Sequence, residues 1–551
     1  MTDLSPSGIR GLGQKAAAET LRQARMVRTM AIAGVIRPHH PVRLTHAARA
    51  IIDQGIGFAG GIGAQAALNP DHTALIDELG SLTWKQIDQR STRLANALAH
   101  LGVSEQDSIA VLCRNHRYFL EVSTAASKLG ADILYLNTAF AAPQLAEVCA
   151  REEPSFVVHD QEFTELMDNS GISQSRILAF VDDPTEAELP TVETLIATGS
   201  TRKLPKAPRL SRPIILTSGT TGTPKGAPRS EAGLDGAVAL LSGIAFRANG
   251  ITHIAAPVFH TWGWAHLNLA MLLNSTMVLH RRFDPETCLE LLRKHRCDTL
   301  VVIPVMLQRI LALPEEKLRG DWSFLKVVAA SGSALPGNLC LEWMDTFGDN
   351  LFNTYGSTEV AWATMAGPKD LRLAPGTAGR PPYNTVVRLY DEHGKPTPEG
   401  ESGRIFVGNS MLFGGYTGKE GGHKEMIDGL MSSGDVGRFD NHGLLFVEGR
   451  DDEMIVSGGE NVFPAEVENA LARHSSVHEA AAIGVPDHEF GQRLRAFVVT
   501  VDEVSEDDLK AWVKQQLARY KVPREIIFLE ELPRNATGKI LKRELKEYDH
   551  S

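Results

Sequence analysis

Short apolar segments alternate with helical stretches along the chain from about residue 70 to about residue 340. Residues 73–77 and 108–113 have the composition of strands, and the segment that begins at Leu82-Thr-Trp-Lys has that of a helix ending near residue 102. Alternation of this kind is typical of layered α/β proteins. After residue 386 the pattern changes to short strands separated by Gly- and Pro-rich turns, which indicates a β-rich subdomain. Beyond residue 450, helices near 465–474 and 506–517 flank two strands and predict a compact α+β unit.

These changes of pattern divide the chain into three predicted parts. They are an N-terminal extension (residues 1–60), a large α/β domain with a β-rich subdomain (61–450) and a small C-terminal α+β domain (451–551). Within the extension, residues 16–30 are predicted to form a helix with arginines on one side. Residues 55–70 are rich in Gly and Ala, and we expect them to be irregular.

Charge is unevenly distributed along the 551 residues. The whole chain has a net charge of -11, but residues 1–50 contain eight basic and two acidic side chains, a net charge of +6. An acidic protein is a poor general nucleic-acid binder, because binding the phosphate backbone requires clustered Lys and Arg. For the basic extension two interpretations stay open. It contacts anionic lipid at the inner face of a membrane, or it docks on the acidic body.

Two further features concern compartment and burial. The five cysteines are scattered and form no CxxC pair, so we expect a reducing compartment, the cytoplasm, and no structural zinc. Residues 248–280 contain no Asp, Glu, Lys or Arg, a length that could span a bilayer. Pro257, Gly263 and Asn268 interrupt this stretch, so it predicts a buried strand, a turn and a core helix instead.

The strongest local signal is the segment Ile215-Leu-Thr-Ser-Gly-Thr-Thr-Gly-Thr-Pro-Lys-Gly226. An apolar strand runs into a loop of small and hydroxylated residues that ends at Lys225. Small residues allow backbone N–H groups to converge on an anion, and hydroxyls and an ammonium group complete such a site. The segment is not a P-loop, since Gly-Lys-Ser/Thr occurs nowhere in the chain.

With four other motifs in order, this loop resembles the phosphate-binding signature of the adenylate-forming superfamily. That superfamily includes acyl-CoA synthetases, peptide-synthetase adenylation domains and luciferases. The other matching segments are Asn353-Thr-Tyr-Gly-Ser-Thr-Glu359, Ser433-Gly-Asp-Val-Gly437, Glu448 to Pro464, and Leu532-Pro-Arg-Asn-Ala-Thr-Gly-Lys539. The resemblance covers roughly residues 70 to 545 and implies that the small C-terminal domain is mobile.

The resemblance implies a reaction and its cofactors. A carboxylate attacks the α-phosphate of ATP, and CoA then displaces AMP from the acyl-adenylate. Glu359 is expected to ligate Mg²⁺, as suits a hard carboxylate, and Lys539, Thr358, Glu359 and Lys225 are the candidate catalytic residues. The residues implied to bind the nucleotide are Thr217, Ser218, Gly219, Thr220, Thr221, Gly222, Lys225, Ser331, Gly332, Ser333, Asn353, Thr354, Tyr355, Gly356, Ser357, Thr358, Asp435, Arg450 and Lys539.

Within that set, particular contacts are expected by resemblance. Asp435 accepts hydrogen bonds from the ribose hydroxyls, Arg450 supports the ribose or the phosphates, and Tyr355 stacks on adenine. Ser331-Gly-Ser lines the opposite side of the adenine. The alternative interpretation is that this segment is only a turn at the end of a strand. Lys539 reaches the carboxylate and the α-phosphate when the C-terminal domain is closed.

The same resemblance implies a hinge and a CoA channel. Asp452 is the expected hinge residue, and Ser457, Gly458 and Gly459 are expected to face CoA in a second pose of the C-terminal domain. Many relatives have Lys where this chain has Val456. At that position no charged contact with the CoA phosphates is therefore expected.

The acyl pocket is expected beside the segment Pro257-Val-Phe-His-Thr-Trp-Gly-Trp264, with His260, Trp262 and Gly263 contacting the acyl group. Peptide-synthetase relatives have Asp where this chain has His260, so an amino-acid substrate is disfavoured. His260 and His266 are poorly spaced for a metal. The uncharged stretch suits an apolar tail, and the chain resembles actinobacterial fatty-acid–CoA ligases.

Other functions stay open from sequence alone. They are a fatty acyl-AMP ligase that loads a carrier protein, a ligase for another apolar acid, a luciferase-like oxygenase and an inactive lipid-binding scaffold. Chain length of the acyl group, oligomeric state and pathway do not follow from the sequence.

Overall fold

A computed structural model describes most of the chain. The described residues are 6–183, 185, 188–217, 225–228, 234–357, 359–413, 424–451, 455–457, 460–462, 464–487, 491–517, 521–535 and 538–548. The N-terminal extension contains α1 (Pro6–Ala33) and α2 (Pro41–Gln54), and α3 (Phe58–Leu68) runs from its end into the large domain.

Two mainly parallel sheets, covered by helices, form the large domain. Their strands are β1 (Thr73–Asp77), β2 (Gly80–Thr83), β3 (Ser108–Leu112), β4 (Asp132–Tyr135), β5 (Phe156–His159), β6 (Ser175–Leu178), β7 (Pro213–Thr217), β8 (Lys225–Pro228), β9 (Ile251–Ile254), β10 (Thr276–Val278), β11 (Thr299–Val302), β12 (Val327–Ala330), β13 (Leu351–Tyr355) and β14 (Thr364–Ala366). The helices are α4 (Trp84–His100), α5 (Arg117–Leu129), α6 (Ala142–Glu152), α7 (Thr164–Ser170), α8 (Val192–Thr198), α9 (Leu234–Gly243), α10 (Thr261–Leu272), α11 (Pro285–His295), α12 (Pro304–Leu311), α13 (Glu315–Leu318), α14 (Gly337–Phe347) and α15 (Pro368–Leu373). This architecture confirms the predicted α/β class.

Strand order brings the carboxyl ends of several parallel strands to common edges. The first sheet has the order β14-β13-β12-β11-β9-β10-β1-β2, and the second has β6-β5-β3-β4-β7-β8. In the first sheet β11, β12 and β13 are parallel neighbours, with antiparallel β14 beside β13. Ligands bind at the carboxyl ends of parallel strands in such sheets, and the segments after β12 and β13 carry the predicted nucleotide residues.

Two smaller sheets follow in the second half of the chain. The β-rich subdomain has the order β15-β16-β18-β17, with β19 paired to β18, and the C-terminal sheet has the order β21-β20-β23-β22, with β24 paired to β23. The elements are β15 (Val386–Tyr390), β16 (Gly403–Gly408), β17 (Met426–Ile427), β18 (Leu430–Phe439), β19 (Leu445–Arg450), β20 (Ile455–Ser457), β21 (Glu460–Val462), α16 (Pro464–Ala472), β22 (Val477–Asp487), β23 (Gly491–Thr500), α17 (Glu506–Gln516), β24 (Glu525–Phe528) and α18 (Lys542–Lys546). The β-rich subdomain thus ends with β19 at Arg450, and the C-terminal sheet begins at Ile455.

The N-terminal extension lies against the large domain. Helix α1, longer than the predicted 16–30, packs on α9, where Arg22 pairs with Asp235 at 3.1 Å. The hydroxyl of Tyr383 donates a hydrogen bond to the carbonyl of Arg22, and Ala33 at the end of α1 is buried. The structure therefore shows the docked arrangement for this part of the extension.

The expectation that residues 55–70 are irregular was wrong. Residues 58–68 form α3 despite three glycines in the helix. A Cβ at Gly60 would lie 1.8 Å from the carbonyl oxygen of Gly55, and one at Gly63 would lie 3.1 Å from Cβ of Ala50. The glycines thus allow α3 to pack closely on α2, and this tertiary contact outweighs their low helix propensity.

The uncharged stretch 248–280 forms buried structure, as predicted. It contains β9, α10 and β10, and α10 begins at Thr261 after the turn at Pro257. No helix in the described part of the chain is both long and apolar enough to cross a bilayer.

Candidate active site

One cavity of about 2040 Å³ connects the residues that the sequence singled out in the large domain with the C-terminal domain. Its walls include the ends of β12 and β13, the β18–β19 hairpin, helix α10 and the loop before α18. Pockets that bind ligands are of this concave kind, with a few polar groups among apolar walls. The cavity has a polar part near Asp435 and an apolar arm along α10.

A buried polar cluster forms one wall of the polar part. Asp435 on β18 faces Arg450 on β19 in the strand register, and their Oδ1 and Nη1 atoms are 3.2 Å apart. The hydroxyl of Tyr355, at the end of β13, donates to Oδ2 of Asp435 at 2.5 Å and lies 3.1 Å from Oγ of Ser433. Burial raises the pKa of Asp435, although Arg450 opposes that shift. Burial and the neighbouring carboxylate also raise the pKa of Tyr355, which keeps its phenol protonated.

The segment 331–333 lies directly beside the end of β13. Ser331 donates from Oγ to the carbonyl of Thr354 at 2.7 Å, and both line the cavity. Gly332 has φ +99°, and a Cβ there would lie 3.3 Å from Ile303. Asn353 donates to the carbonyl of Thr377, while Gly356 approaches the carbonyl of Ala361 too closely for a side chain. The adjacent parallel strands β12 and β13 thus bring these two predicted segments together.

The phosphate-binding loop is described only at its two ends. Thr217 on β7 pairs with Lys225 on β8 in an antiparallel register. Residues Ser218, Gly219, Thr220, Thr221 and Gly222 lie outside the described residues, as do Thr358 and the side chains of Thr217 and Lys225. Glu359 and Ser357 are described, and both line the cavity. Glu359 therefore lines the same cavity as Tyr355 and Asp435.

Lys539 reaches this cavity from the C-terminal domain. Its backbone N–H donates to Oδ1 of Asn535, and the backbone N–H of Asn535 donates to the Lys539 carbonyl, which fixes the turn. At Gly538, with φ +74°, a Cβ would lie only 2.5 Å from Cγ1 of Val305 on α12. The two domains are therefore in close contact here, and the charge of Lys539 contributes to lowering the pKa of Asp435 against the larger effect of burial.

The expected hinge and CoA residues are less fully described. Asp452, Gly458 and Gly459 lie outside the described residues, and Ser457 is described only as backbone at the end of β20, opposite Glu460. Their roles stay predictions.

The predicted acyl residues stand at the start of α10. His260 immediately precedes the helix, and burial lowers the pKa of its imidazole to about 4, so the ring is neutral near pH 7. Nε1 of Trp262 donates to the carbonyl of Val302 at 3.1 Å, which fastens α10 to β11. Gly263 is required for packing, since a Cβ there would lie 2.4 Å from the carbonyl oxygen of Pro257. His260 and Trp262 line the cavity, whereas Gly263 shapes the wall from behind.

Sequence reasoning missed the cavity walls that α2 and α3 form beside α10. Helix α3 contributes Phe58, Gly61, Gln65 and Leu68, which share one helical face, and α2 contributes a similar stripe. Phe58 packs edge-on against Trp264 at 6.2 Å, and Gln65 donates to the carbonyl of Met271 at 2.6 Å. The sequence did contain a signal for this wall, the helical spacing of these four residues. The glycines in the segment obscured it, because glycine has a low helix propensity.

A family model described as AMP-binding enzyme matches residues 62–417, and one described as AMP-binding enzyme C-terminal domain matches residues 466–539. The chain belongs to the AMP-binding enzyme family. This confirms the adenylate-forming resemblance and the fold class. The finer resemblance to actinobacterial fatty-acid ligases stays a prediction.

Relatives of known activity match most of the chain. A feruloyl-CoA synthase of Amycolatopsis is 33% identical over 488 residues, which cover 88% of this chain and 97% of that protein. An indoleacetate–CoA ligase of Aromatoleum aromaticum is 30% identical, with the same coverage. A solved structure of o-succinylbenzoate CoA synthetase from Bacillus subtilis, with its acyl-adenylate, has a TM-score of 0.76 at 27% identity, covering 89% of this chain and 98% of that one.

The protein is accordingly an AMP-forming acid–thiol ligase that uses ATP, Mg²⁺ and CoA. The described residues fit this cofactor set. Glu359 carries a hard oxygen ligand of the kind that Mg²⁺ prefers, and the residue lines the same cavity as the buried Asp435.

Proposed function

We propose that this ligase activates an extended apolar carboxylic acid, with long-chain fatty acids as the leading class, and transfers the acyl group to CoA. The apolar arm supports this proposal. It follows α10 over 12 residues, about 18 Å at 1.5 Å per residue, and each helix around it presents one stripe to the cavity. A single ring at the His260 end would leave most of this arm unfilled, whereas a long acyl chain would fill it.

In the proposed reaction the protein positions the reactants and neutralises charge. Asp435 and Arg450 hold the ribose, Tyr355 and Ser331–Ser333 enclose the adenine, and the loop at 217–225 binds the β- and γ-phosphates. Thr358 contacts the α-phosphate. Bound Mg²⁺, held by Glu359, would supply charge neutralisation on the phosphates.

Lys539 acts at the reacting centre in this proposal. Its ammonium stands between the attacking carboxylate and the α-phosphate when the domains are in contact, as they are at Gly538 and Val305. Rotation about Asp452 would then remove Lys539 and bring Ser457–Gly459 to the CoA channel. The proposal therefore assigns the two half-reactions to two domain arrangements.

A second candidate substrate class is aromatic acids. Phe58, Trp262 and Trp264 stand at the catalytic end of the arm, and edge-to-face contacts with these rings would favour an aryl group. The relatives named above act on feruloyl, indoleacetyl and succinylbenzoyl groups. Hexadecanoic, ferulic and indoleacetic acids compared under identical conditions separate the two classes by their kcat/KM values.

The assay follows AMP release and thioester formation separately, with ATP, Mg²⁺, CoA and this panel of acids. If kcat/KM is highest for hexadecanoic acid, the result supports fatty acids as the substrate class. If kcat/KM is highest for an aryl acid, aromatic acids become the substrate class instead. Release of AMP without thioester would favour the alternative that loads a carrier protein. The inactive-scaffold alternative is set aside, because the chain belongs to a family of enzymes and keeps Lys225, Glu359, Asp435, Arg450 and Lys539.

We also propose peripheral contact of residues 1–50 with anionic lipid. The extension is basic, and Leu21, Val27 and Ile32 on α1 are each more than half exposed although α1 docks on α9. Apolar side chains flanked by arginines suit a bilayer interface. Sedimentation with vesicles of phosphatidylglycerol, for the full chain and for a chain lacking residues 1–50, tests this; equal sedimentation would refute it.

A further inference from the structure

The apolar arm ends at a cationic side chain from the N-terminal extension. Arg37 lies in the segment between α1 and α2, and it lines the cavity. A Cβ at Gly34 would lie 3.2 Å from Nη2 of Arg37 and 3.6 Å from Cβ of Ala248. The neighbouring residue Asn249 donates its backbone N–H to the carbonyl of Leu273, at the carboxyl end of α10. Arg37 is therefore at the opposite end of α10 from His260.

The surrounding helices agree with this placement. Helices α3 and α10 run side by side in the same direction, because Phe58 contacts Trp264 while Gln65 bonds to Met271. Nη1 of Arg43 donates to the carbonyl of Leu68, so the start of α2 lies beside the end of α3. The segment that carries Arg37 thus meets the arm at the end remote from the nucleotide.

Arg37 has no protein partner within the described part of the chain. Its guanidinium, with five N–H donors, forms neither a hydrogen bond nor an ion pair there, although it is only partly exposed. Among the described residues that line the arm, from 34 to 69 and from 256 to 274, none is acidic. Burial, and secondarily the charge of Arg37, lowers the pKa of His72, which keeps that imidazole neutral.

Arg37 also lies outside the part of the chain that the family model matches, which begins at residue 62. The family's nucleotide residues therefore do not require a cation at this place. In an apolar arm without acidic groups, a partly buried guanidinium favours an anionic ligand group over a methyl group.

We propose that Arg37 is a specificity-determining residue that binds an anionic group, a carboxylate in the first instance, at the end of the acyl chain remote from the activated carboxylate. The inference rests on the proposed function, since it assigns a preferred substrate within the extended apolar class. The favoured substrate is an acid with an apolar middle and a second carboxylate at its far end. Ion pairing at Arg37 lowers KM and leaves the chemical step at the α-phosphate unchanged.

The test compares hexadecanedioic acid with hexadecanoic acid in the full-length enzyme, with thioester formation as the readout. We expect a KM about tenfold or more lower for the dicarboxylic acid, as a charge-assisted hydrogen bond supplies, with similar kcat. Arg37→Gln should abolish this preference, so that the KM values for hexadecanedioic and hexadecanoic acid become similar. Arg49→Gln, which alters an exposed arginine on α2, is the matched control and should keep the preference.

Reversing the charge at residue 37 gives a test that a loss of folding cannot mimic, because the variant should gain a new substrate preference. Arg37→Glu should disfavour hexadecanedioic acid and instead lower KM for the ω-amino analogue of hexadecanoic acid. Equal ratios of KM in the wild type, Arg37→Gln and Arg37→Glu would overturn the inference but leave the ligase proposal intact. Failure of the wild-type enzyme to convert either acid would instead refute the extended apolar substrate class itself.

Discussion

Asp435 and Arg450 are direct cross-strand partners on β18 and β19, and their side chains form a 3.2 Å ion pair at the wall of the cavity. Fifteen positions separate them in sequence, yet the hairpin puts both side chains beside the hydroxyl of Tyr355. The pairing holds the Asp435 carboxylate in place although burial raises its pKa. The carboxylate of Asp435, the predicted ribose acceptor, is therefore held in place by two donors, the Arg450 guanidinium and the Tyr355 hydroxyl.

Replacing the acceptor should weaken nucleotide binding. In Asp435→Asn one ribose acceptor becomes a donor, so we expect KM for ATP to rise by about tenfold or more with a smaller change in kcat. Steady-state kinetics with ATP varied provides the measurement. Asp428→Asn makes the same change in an exposed turn of the same sheet and serves as control. Equal KM values in both variants would contradict the ribose assignment.

Lys539→Ala should separate the two half-reactions. Removal of the ammonium from the reacting centre should lower the rate of acyl-adenylate formation by about 100-fold or more. Conversion of preformed acyl-adenylate with CoA should continue near the wild-type rate, because the proposal assigns that step to a second arrangement of the domains, in which Lys539 has left the reacting centre. Lys546→Ala, at the exposed end of α18, should affect neither step. Equal loss of both steps in Lys539→Ala would count against the two-arrangement proposal.

Gly61→Leu should shorten the apolar arm. A Cβ at Gly61 would make ordinary contact with Met271 at 3.6 Å, so the helix tolerates the change while the rest of the side chain enters the cavity. We expect KM for hexadecanoic acid to rise about tenfold or more and KM for butanoic acid to stay within about twofold, by analogy with the cost of overpacking. A thermal unfolding scan checks that the fold is intact. Unchanged KM for the long acid would show that acyl chains do not pass Gly61.

Two buried histidines should make the protein less stable as pH falls. Burial lowers the pKa of His253 and His266 to about 4 each, below the usual 6.5. The unfolded chain then binds protons that the folded chain does not, so the free energy of unfolding falls as pH drops from 6.5 towards 4. Each histidine contributes up to about 1.4 kcal/mol per pH unit.

Urea unfolding at pH 7 and at pH 5 measures how steeply the free energy of unfolding depends on pH. This slope should be smaller in His266→Gln, because the variant lacks one buried titrating group. The comparison of slopes holds whatever the absolute stability of the variant. His393→Gln removes an exposed histidine and should leave the slope as in the wild type. A slope independent of His266 would contradict the burial argument.

The layered α/β class and the buried nature of residues 248–280 followed from the sequence, because apolar runs and turn residues are local signals. The shape of the apolar arm did not. Gly60, Gly61 and Gly63 predict an irregular segment when read locally, but they are the residues that let α3 approach α2 and face α10. Propensity is a weak local preference, and close packing between helices exceeds it.

The sequence by itself determined the family and the reaction type and predicted the nucleotide residues, because ordered motifs require particular side chains at particular spacings. Only the tertiary structure decided which of the predicted residues meet, as Tyr355, Asp435 and Arg450 do, and which helices line the apolar arm. The charge of residues 1–50 was visible in the sequence, but its placement was not. Arg22 pairs with Asp235, whereas Arg37 stands at the end of the arm, because those positions depend on contacts between segments about 200 residues apart.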